Sequence, residues 1–181
     1  MKVVVISGYF NPLHTGHLDY IDQARSLGDM LIVIVNNDRQ VKIKGSHPFL
    51  NQEDRLRIVS SLKNVDLAIT AIDTDATVVA SLQELWHQNQ VQPIDSKRTV
   101  DNSMVFANGG DRKRGNTPEE DFCKSEGIET VYNVGGEKTQ SSGGILRGAG
   151  YSNDTTSCSE EMTRWMTEGT PWTHGPRSDC G

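Results

Sequence analysis

The sequence predicts an α/β fold: a parallel sheet of about five strands with helices on both faces, followed by an irregular C-terminal tail. Three observations support this. Short apolar runs alternate with helical patterns over residues 2–7, 15–27, 30–36, 52–62, 65–72 and 77–86, the order expected of βαβ units. The runs Val3-Val4-Val5-Ile6 and Leu31-Ile32-Val33-Ile34-Val35 are continuously apolar and mostly β-branched, as strands covered on both faces must be. No apolar stretch approaches the roughly 20 residues of a membrane helix, so these runs are expected to build a core.

Taken in order, the first strand runs from Lys2 to Ser7 and stops at Gly8. Leu18, Ile21, Ala24, Arg25 and Leu27 then form an approximate helical stripe ended by Gly28. A second strand covers residues 30–36. Asn51 is a good N-cap for a helix over residues 52–62, with Asp54 three residues on. Asp75 is the expected cap of a helix over residues 76–88. A polar stretch, residues 88–102, leads to a fourth strand, Met104-Val105-Phe106-Ala107, which ends at Asn108-Gly109-Gly110-Asp111. Pro118-Glu119-Glu120 begins another helix with Thr117 as cap, and residues 128–134 form a fifth strand with Gly135-Gly136 at its carboxyl end. These units make a Rossmann-like sheet over residues 1–147. Residues 148–181 turn to Ser, Thr, Gly, Asp and Glu, with Trp165 and Trp172 as large apolar anchors, and read as a polar tail.

At 181 residues one catalytic-sized domain is expected. The formal net charge of −6 argues against a nucleic-acid surface, which needs clustered Lys and Arg. Lys97-Arg98 and Arg112-Lys113-Arg114 are short basic clusters flanked by acidic residues and fit local phosphate chemistry or a solvated loop. Cys123, Cys158 and Cys180 form no C-x-x-C pair, so reduced thiols in a cytoplasm are expected rather than a disulfide framework or a zinc site. The N-terminal apolar run is too short for a signal-peptide core.

The chemistry concentrates in Gly8-Tyr9-Phe10-Asn11-Pro12-Leu13-His14-Thr15-Gly16-His17, directly after the first strand. His14 and His17 are spaced i, i+3 at the start of a helix, so both imidazoles can project toward one spot. A helix N-terminus favours an anion by roughly 0.3–1 kcal/mol even when exposed. Histidine adds donors there, and Gly16 lets a polyphosphate approach the backbone. The P-loop, H-E-x-x-H and G-x-S-x-G patterns are missing from the sequence.

This segment resembles the H-x-G-H signature of the cytidylyltransferase-like nucleotidyltransferases. Leu27-Gly28-Asp29-Met30-Leu31-Ile32-Val33 is similar to the helix-to-strand passage of glycerol-3-phosphate cytidylyltransferases. The resemblance covers residues 2–146. It implies a nucleotidyltransferase that binds a magnesium–nucleotide complex against His14 and His17. A phosphate oxygen of a small phosphorylated substrate would attack the α-phosphorus in line, and pyrophosphate would leave. It further implies a homodimer; charge and the lack of a long apolar stretch, rather than the resemblance, lead to the expectation of no nucleic-acid or membrane partner.

Carried over residue by residue, the resemblance assigns His14, His17, Lys42 and Lys44 to charge stabilisation. A lysine about 4 Å from a phosphate oxygen is worth on the order of 4 kcal/mol at an effective dielectric of 20, before desolvation. Gly8, Tyr9, Phe10, Asn11 and Gly16 are assigned to the nucleotide. Glu53 and Arg55 match an E-x-R, in which Arg55 would fork onto the second substrate's phosphate. Gly110 and Asp111, in a G-x-D segment, would lie near base and ribose, although a plain Gly-rich turn is an equal alternative. The pattern R-T-x-G-I-S-T-T corresponds to residues 136–143, where Lys138, Ser141 and Ser142 would hold the β- and γ-phosphates. The family arginine is absent there, and Gly143 replaces the final hydroxyl. Asn11 stands where the glycerol-3-phosphate enzymes have aspartate and is a poorer metal ligand. Cytidylyl transfer from CTP is the expectation. A pantetheine-phosphate- or nicotinamide-type adenylyltransferase, or a nucleotide-binding homologue without turnover, are the alternatives.

Overall fold

The computed structural model describes residues 1–91, 103–110, 112, 115, 117–136 and 142–148. The chain divides into two compact units, Met1–Ile145 and Leu146–Gly181, and the first contains the whole sheet. The tail assigned to residues 148–181 lies, apart from Gly148, outside the described residues.

The elements follow the order β1 (Lys2–Gly8), α1 (Thr15–Arg25), β2 (Met30–Val35), α2 (Asp38–Ile43), α3 (Gln52–Ser60), β3 (Leu67–Thr70), α4 (Val79–Val91), β4 (Ser103–Gly109), α5 (Glu119–Glu126), β5 (Glu129–Val134) and α6 (Ser142–Gly148). The five strands are parallel in the order β3-β2-β1-β4-β5. β1 is central: Val5 pairs with Ile32 on one side and Phe106 on the other. Because side chains alternate across a strand, an unbroken apolar run feeds two cores. Val3, Val5, Ile32, Ile34, Met104 and Phe106 pack with Leu82 and Leu85 of α4 and Cys123 of α5. Val4, Ile6, Leu31, Val33 and Val35 pack with Ile21 and Ala24 of α1 and Val59 of α3. Helices therefore cover both faces, as the alternating runs predict. Burial pushes the Cys123 thiol up to about 11, which keeps it an inert packing group.

Several local expectations need correction. α2 falls on Asp38-Arg39-Gln40-Val41-Lys42-Ile43, a stretch with no helical periodicity long enough to read. Its cap is Asn37, whose Oδ1 accepts from Gln40 N–H at 2.9 Å. α4 begins at Val79, and its first N–H groups are accepted by the buried Asp73, from Ala80 at 2.7 Å and Ser81 at 3.1 Å. Asp75 instead closes a local turn by accepting from Thr77 N–H at 2.8 Å. The N-cap of α5 is Pro118 without a side-chain bond, and the buried Thr117 hydroxyl makes none. Asn51 caps α3 as expected, accepting from Asp54 N–H at 2.8 Å.

Glu120 ties α5 to the loop before it. Its carboxylate accepts from Gly115 N–H and pairs with Lys124 at 3.0 Å. The Gly115 bond first, and then Lys124, hold its pKa down at about 2 from an ordinary 4.5. A depressed carboxylate pKa contributes stability that is complete above the unfolded value and is lost as pH falls through the folded one. Wild type is therefore expected to exceed Glu120→Gln in urea midpoint at neutral pH, and the gap should shrink as pH falls from 4.5 to about 2. A gap that stays constant across that window would refute this assignment.

Candidate active site

Strand order reverses between β1 and β4, whose outward crossovers run to opposite sides of the sheet. A crevice opens at such a point beyond the carboxyl ends of the strands. Here it is a cleft of ≈ 570 Å³, lined by residues that follow every strand from β1 to β5 except β3. That volume suits a small-molecule ligand.

His14 is the N-cap of α1 and His17 its third residue. Their rings lie 3.8 Å apart, centroid to centroid, so the i, i+3 spacing does bring them to one spot. His14 N–H donates to His17 Nδ1 at 3.3 Å. With Nδ1 accepting, His17 carries its proton on Nε2 in the neutral form, as a donor. Phe10 supports the His17 ring at 5.0 Å. A Cβ at Gly16 would stand 3.2 Å from the His14 ring, so this glycine makes room for the imidazole as well as for a ligand.

Tyr20, one turn after His17, locks α1 in place. Its hydroxyl donates to Ala107 O at 2.6 Å, and burial pushes its pKa up. A Cβ at Gly109 would meet the Tyr20 ring at 2.9 Å, and one at Gly135 would meet the Tyr20 backbone at 2.9 Å. Gly135 also has φ +91, a conformation that disfavours side chains. β5 carries an extra residue against β4, since Ala107 pairs with Val131 but Gly109 with Val134. Asn133 takes φ 59 within that irregularity, which bends the strand end toward α1.

The other assigned residues divide. Gly8, Tyr9, Asn11, Gly16, Gly110, Lys44 and Ser142 line the cleft. Lys44 places its Nζ 4.2 Å above the Tyr9 ring. Ser142, the first residue of α6, donates its hydroxyl to Pro12 O at 3.0 Å. Asp111, Lys138 and Ser141 lie outside the described residues.

Three assignments are corrected. Arg55 does not reach the cleft. It is 1% exposed and donates to Leu50 O (3.1 Å), Tyr9 O (2.7 Å), Asn36 O (2.7 Å) and Asp38 Oδ1 (2.6 Å). A guanidinium committed to three carbonyls and a carboxylate has no fork left for a substrate. Phe10 is buried in the core below α1. Lys42 is exposed and absent from the cleft wall, because a step of two residues along the helix, to the Lys44 C-cap, turns the pair to different sides. Asn11 stays on the cleft wall while its amide also holds the loop after α2: Nδ2 donates to His47 O at 2.8 Å and Oδ1 accepts from Phe49 N–H at 2.6 Å.

The assignments omit Arg112, Asn36, Asn108, Tyr20 and Asp19, all on the cleft wall. Only Arg112 carried a signal, as the first residue of a basic triplet. Asn108 is 1% exposed and its Nδ2 has no hydrogen-bond partner. An unpaired buried donor costs about 1–3 kcal/mol, a cost that a ligand acceptor would relieve. Among the described residues no three His, Cys, Asp or Glu side chains come together as a metal site.

The profile of the cytidylyltransferase-like family matches residues 5–134. The chain is 39% identical over 116 residues to the bifunctional protein HldE of Haemophilus influenzae (strain PittEE), a match spanning 62% of this chain and 24% of that one. It is 34% identical over 106 residues to the FAD synthase of Thermoplasma acidophilum, spanning 56% of this chain and 75% of the relative. Among solved structures, the lipopolysaccharide core biosynthesis protein of Thermoplasma volcanium superposes with a TM-score of 0.52 at 26% identity, covering 74% of this chain and 94% of that one. Among the described residues no helix is long and apolar enough to cross a membrane.

Proposed function

Because this chain belongs to the cytidylyltransferase-like nucleotidyltransferase family, we propose that it transfers a nucleotidyl group from a nucleoside triphosphate to a small phosphomonoester and releases pyrophosphate. The observation that carries this reading is the pair of imidazoles 3.8 Å apart at the N-terminus of α1, opening into the crevice where the strand order reverses. A phosphate oxygen of the acceptor attacks the α-phosphorus. The new P–O bond forms as the bond to the β-phosphate oxygen breaks, and the electron pair leaves with pyrophosphate. Such a step needs no covalent enzyme intermediate. It needs two mutually repelling anions held in line, and donors where charge gathers on the leaving group. The His17 Nε2–H, the backbone N–H groups of the first turn of α1 and Lys44 supply these donors.

Magnesium belongs to this reading only as a companion of the triphosphate. It would be held chiefly by phosphate oxygens and water, its usual habit at such sites. ATP and CTP are the two candidate nucleotides. The relatives named FAD synthase favour an adenine nucleotide, whereas the resemblance of Lys42 and Lys44 to the cytidylyl branch favours CTP. The position of Lys42 outside the cleft weakens the second argument.

The test is pyrophosphate release from magnesium plus each of the four nucleoside triphosphates, paired with a panel of sugar, polyol, amino-alcohol and flavin phosphates. We expect release with ATP or CTP and one acceptor class. Nucleotide binding without release from any pair would leave a binding protein and end the catalytic reading.

A further inference from the structure

With Arg55 committed to the interior, the attacking phosphate needs another cation. We propose that Arg112, aimed by the buried carboxylate of Glu119, binds the phosphate of the second substrate. This rests on the nucleotidyl-transfer reading above. Among the described residues of the cleft wall, the permanently charged cations are Lys44 and Arg112. They come from opposite sides of β1: Lys44 from the end of α2 beyond β2, Arg112 from the loop after β4. Tyr9, at the end of β1, lies between them. Lys44 Nζ sits over its ring, and the Arg112 charge is close enough to offset in part the burial that raises the Tyr9 hydroxyl. Both cations therefore face the carboxyl end of the central strand.

Glu119 explains why Arg112 stays there. It is 1% exposed, with Oε1 accepting from Val78 N–H at 2.9 Å. Its Oε2 has no hydrogen bond and faces Arg112 Nη1 at 3.7 Å. A buried carboxylate needs a compensating charge, which anchors Arg112. A contact of that length directs the guanidinium without saturating it, and its planar fork remains for a bidentate phosphate. The triphosphate already has the α1 N-terminus and the histidines. In-line attack places the acceptor phosphate opposite the leaving pyrophosphate, so a separate cation suits it.

The test is the split between the two Michaelis constants. Arg112→Ala is expected to raise KM for the phosphorylated acceptor by about 10-fold or more, the scale of a lost charge-assisted bond, with KM for the nucleotide triphosphate within about twofold. Arg112→Lys should recover only part, since a point charge cannot fork. Glu119→Gln, which keeps an acceptor for Val78, should move the acceptor KM in the same direction by less. A rise in nucleotide KM instead, or no change in either, overturns the proposal. If wild type turns over no pair, the catalytic reading fails. Arg112 is then judged on inorganic phosphate binding by titration calorimetry: about 10-fold weaker binding in Arg112→Ala supports it. Equal affinity, or no binding by wild type at about 10 mM, overturns it.

Discussion

His14→Ala or His17→Ala is expected to lower turnover by at least about 100-fold, the scale of losing one transition-state donor. The two rings lie 3.8 Å apart at the only described helix start that follows the central strand, so neither has a substitute. kcat and kcat/KM should fall together, because the donor acts on charge that develops only as pyrophosphate leaves. Pyrophosphate release under saturating substrates measures this. Near-normal turnover in both variants would refute the role assigned to the pair. The His17 ring also touches Phe10, so the thermal midpoint should be recorded alongside; a midpoint close to wild type attributes the lost activity to chemistry.

Arg55→Ala is expected to cost about 1–3 kcal/mol of folding stability, the range for leaving buried acceptors without their donor, since Asp38 at 30% side-chain exposure keeps access to water. The guanidinium binds the backbone after β1 through Tyr9, the end of β2 through Asn36, the first residue of α2 through Asp38, and the loop before α3 through Leu50. Its removal strands three carbonyls. Urea denaturation measures the loss. A variant as stable as wild type but with a raised acceptor KM would restore Arg55 to the substrate and displace Arg112 from it. Activity lost in proportion to folded protein is the expected outcome.

The contrast between these residues shows how far sequence reasoning reaches. His14 and His17 are four-residue neighbours on one helix turn, so their meeting follows from helix geometry alone. Arg55 and Arg112 are cations in polar sequence, and nothing local states which one turns inward. Arg55 is buried because Tyr9, after β1, and Asn36 and Asp38, at the passage from β2 to α2, converge on it from two separate segments. Arg112 faces the cleft because Glu119, the first residue of α5, sits behind it. Lys42 and Lys44 parted for a third reason, the short helix α2, whose six residues are too few for a periodic signal. Tyr20 fell outside the helical stripe read from Leu18, Ile21, Ala24, Arg25 and Leu27; that Gly109 and Gly135 make space for it depends on an irregularity in β5 paired with β4.

The fold class, the five parallel strands and the meeting of the two histidines could be read from the chain because each is a local or periodic property. Apolar runs, capping residues and a strand followed by His14 and His17 are set by neighbours a few positions apart. Which charged side chain is buried and which faces the cleft is settled by contacts between elements that meet only in the fold. There, desolvation must be offset partner by partner, and no pattern along the chain records the partner.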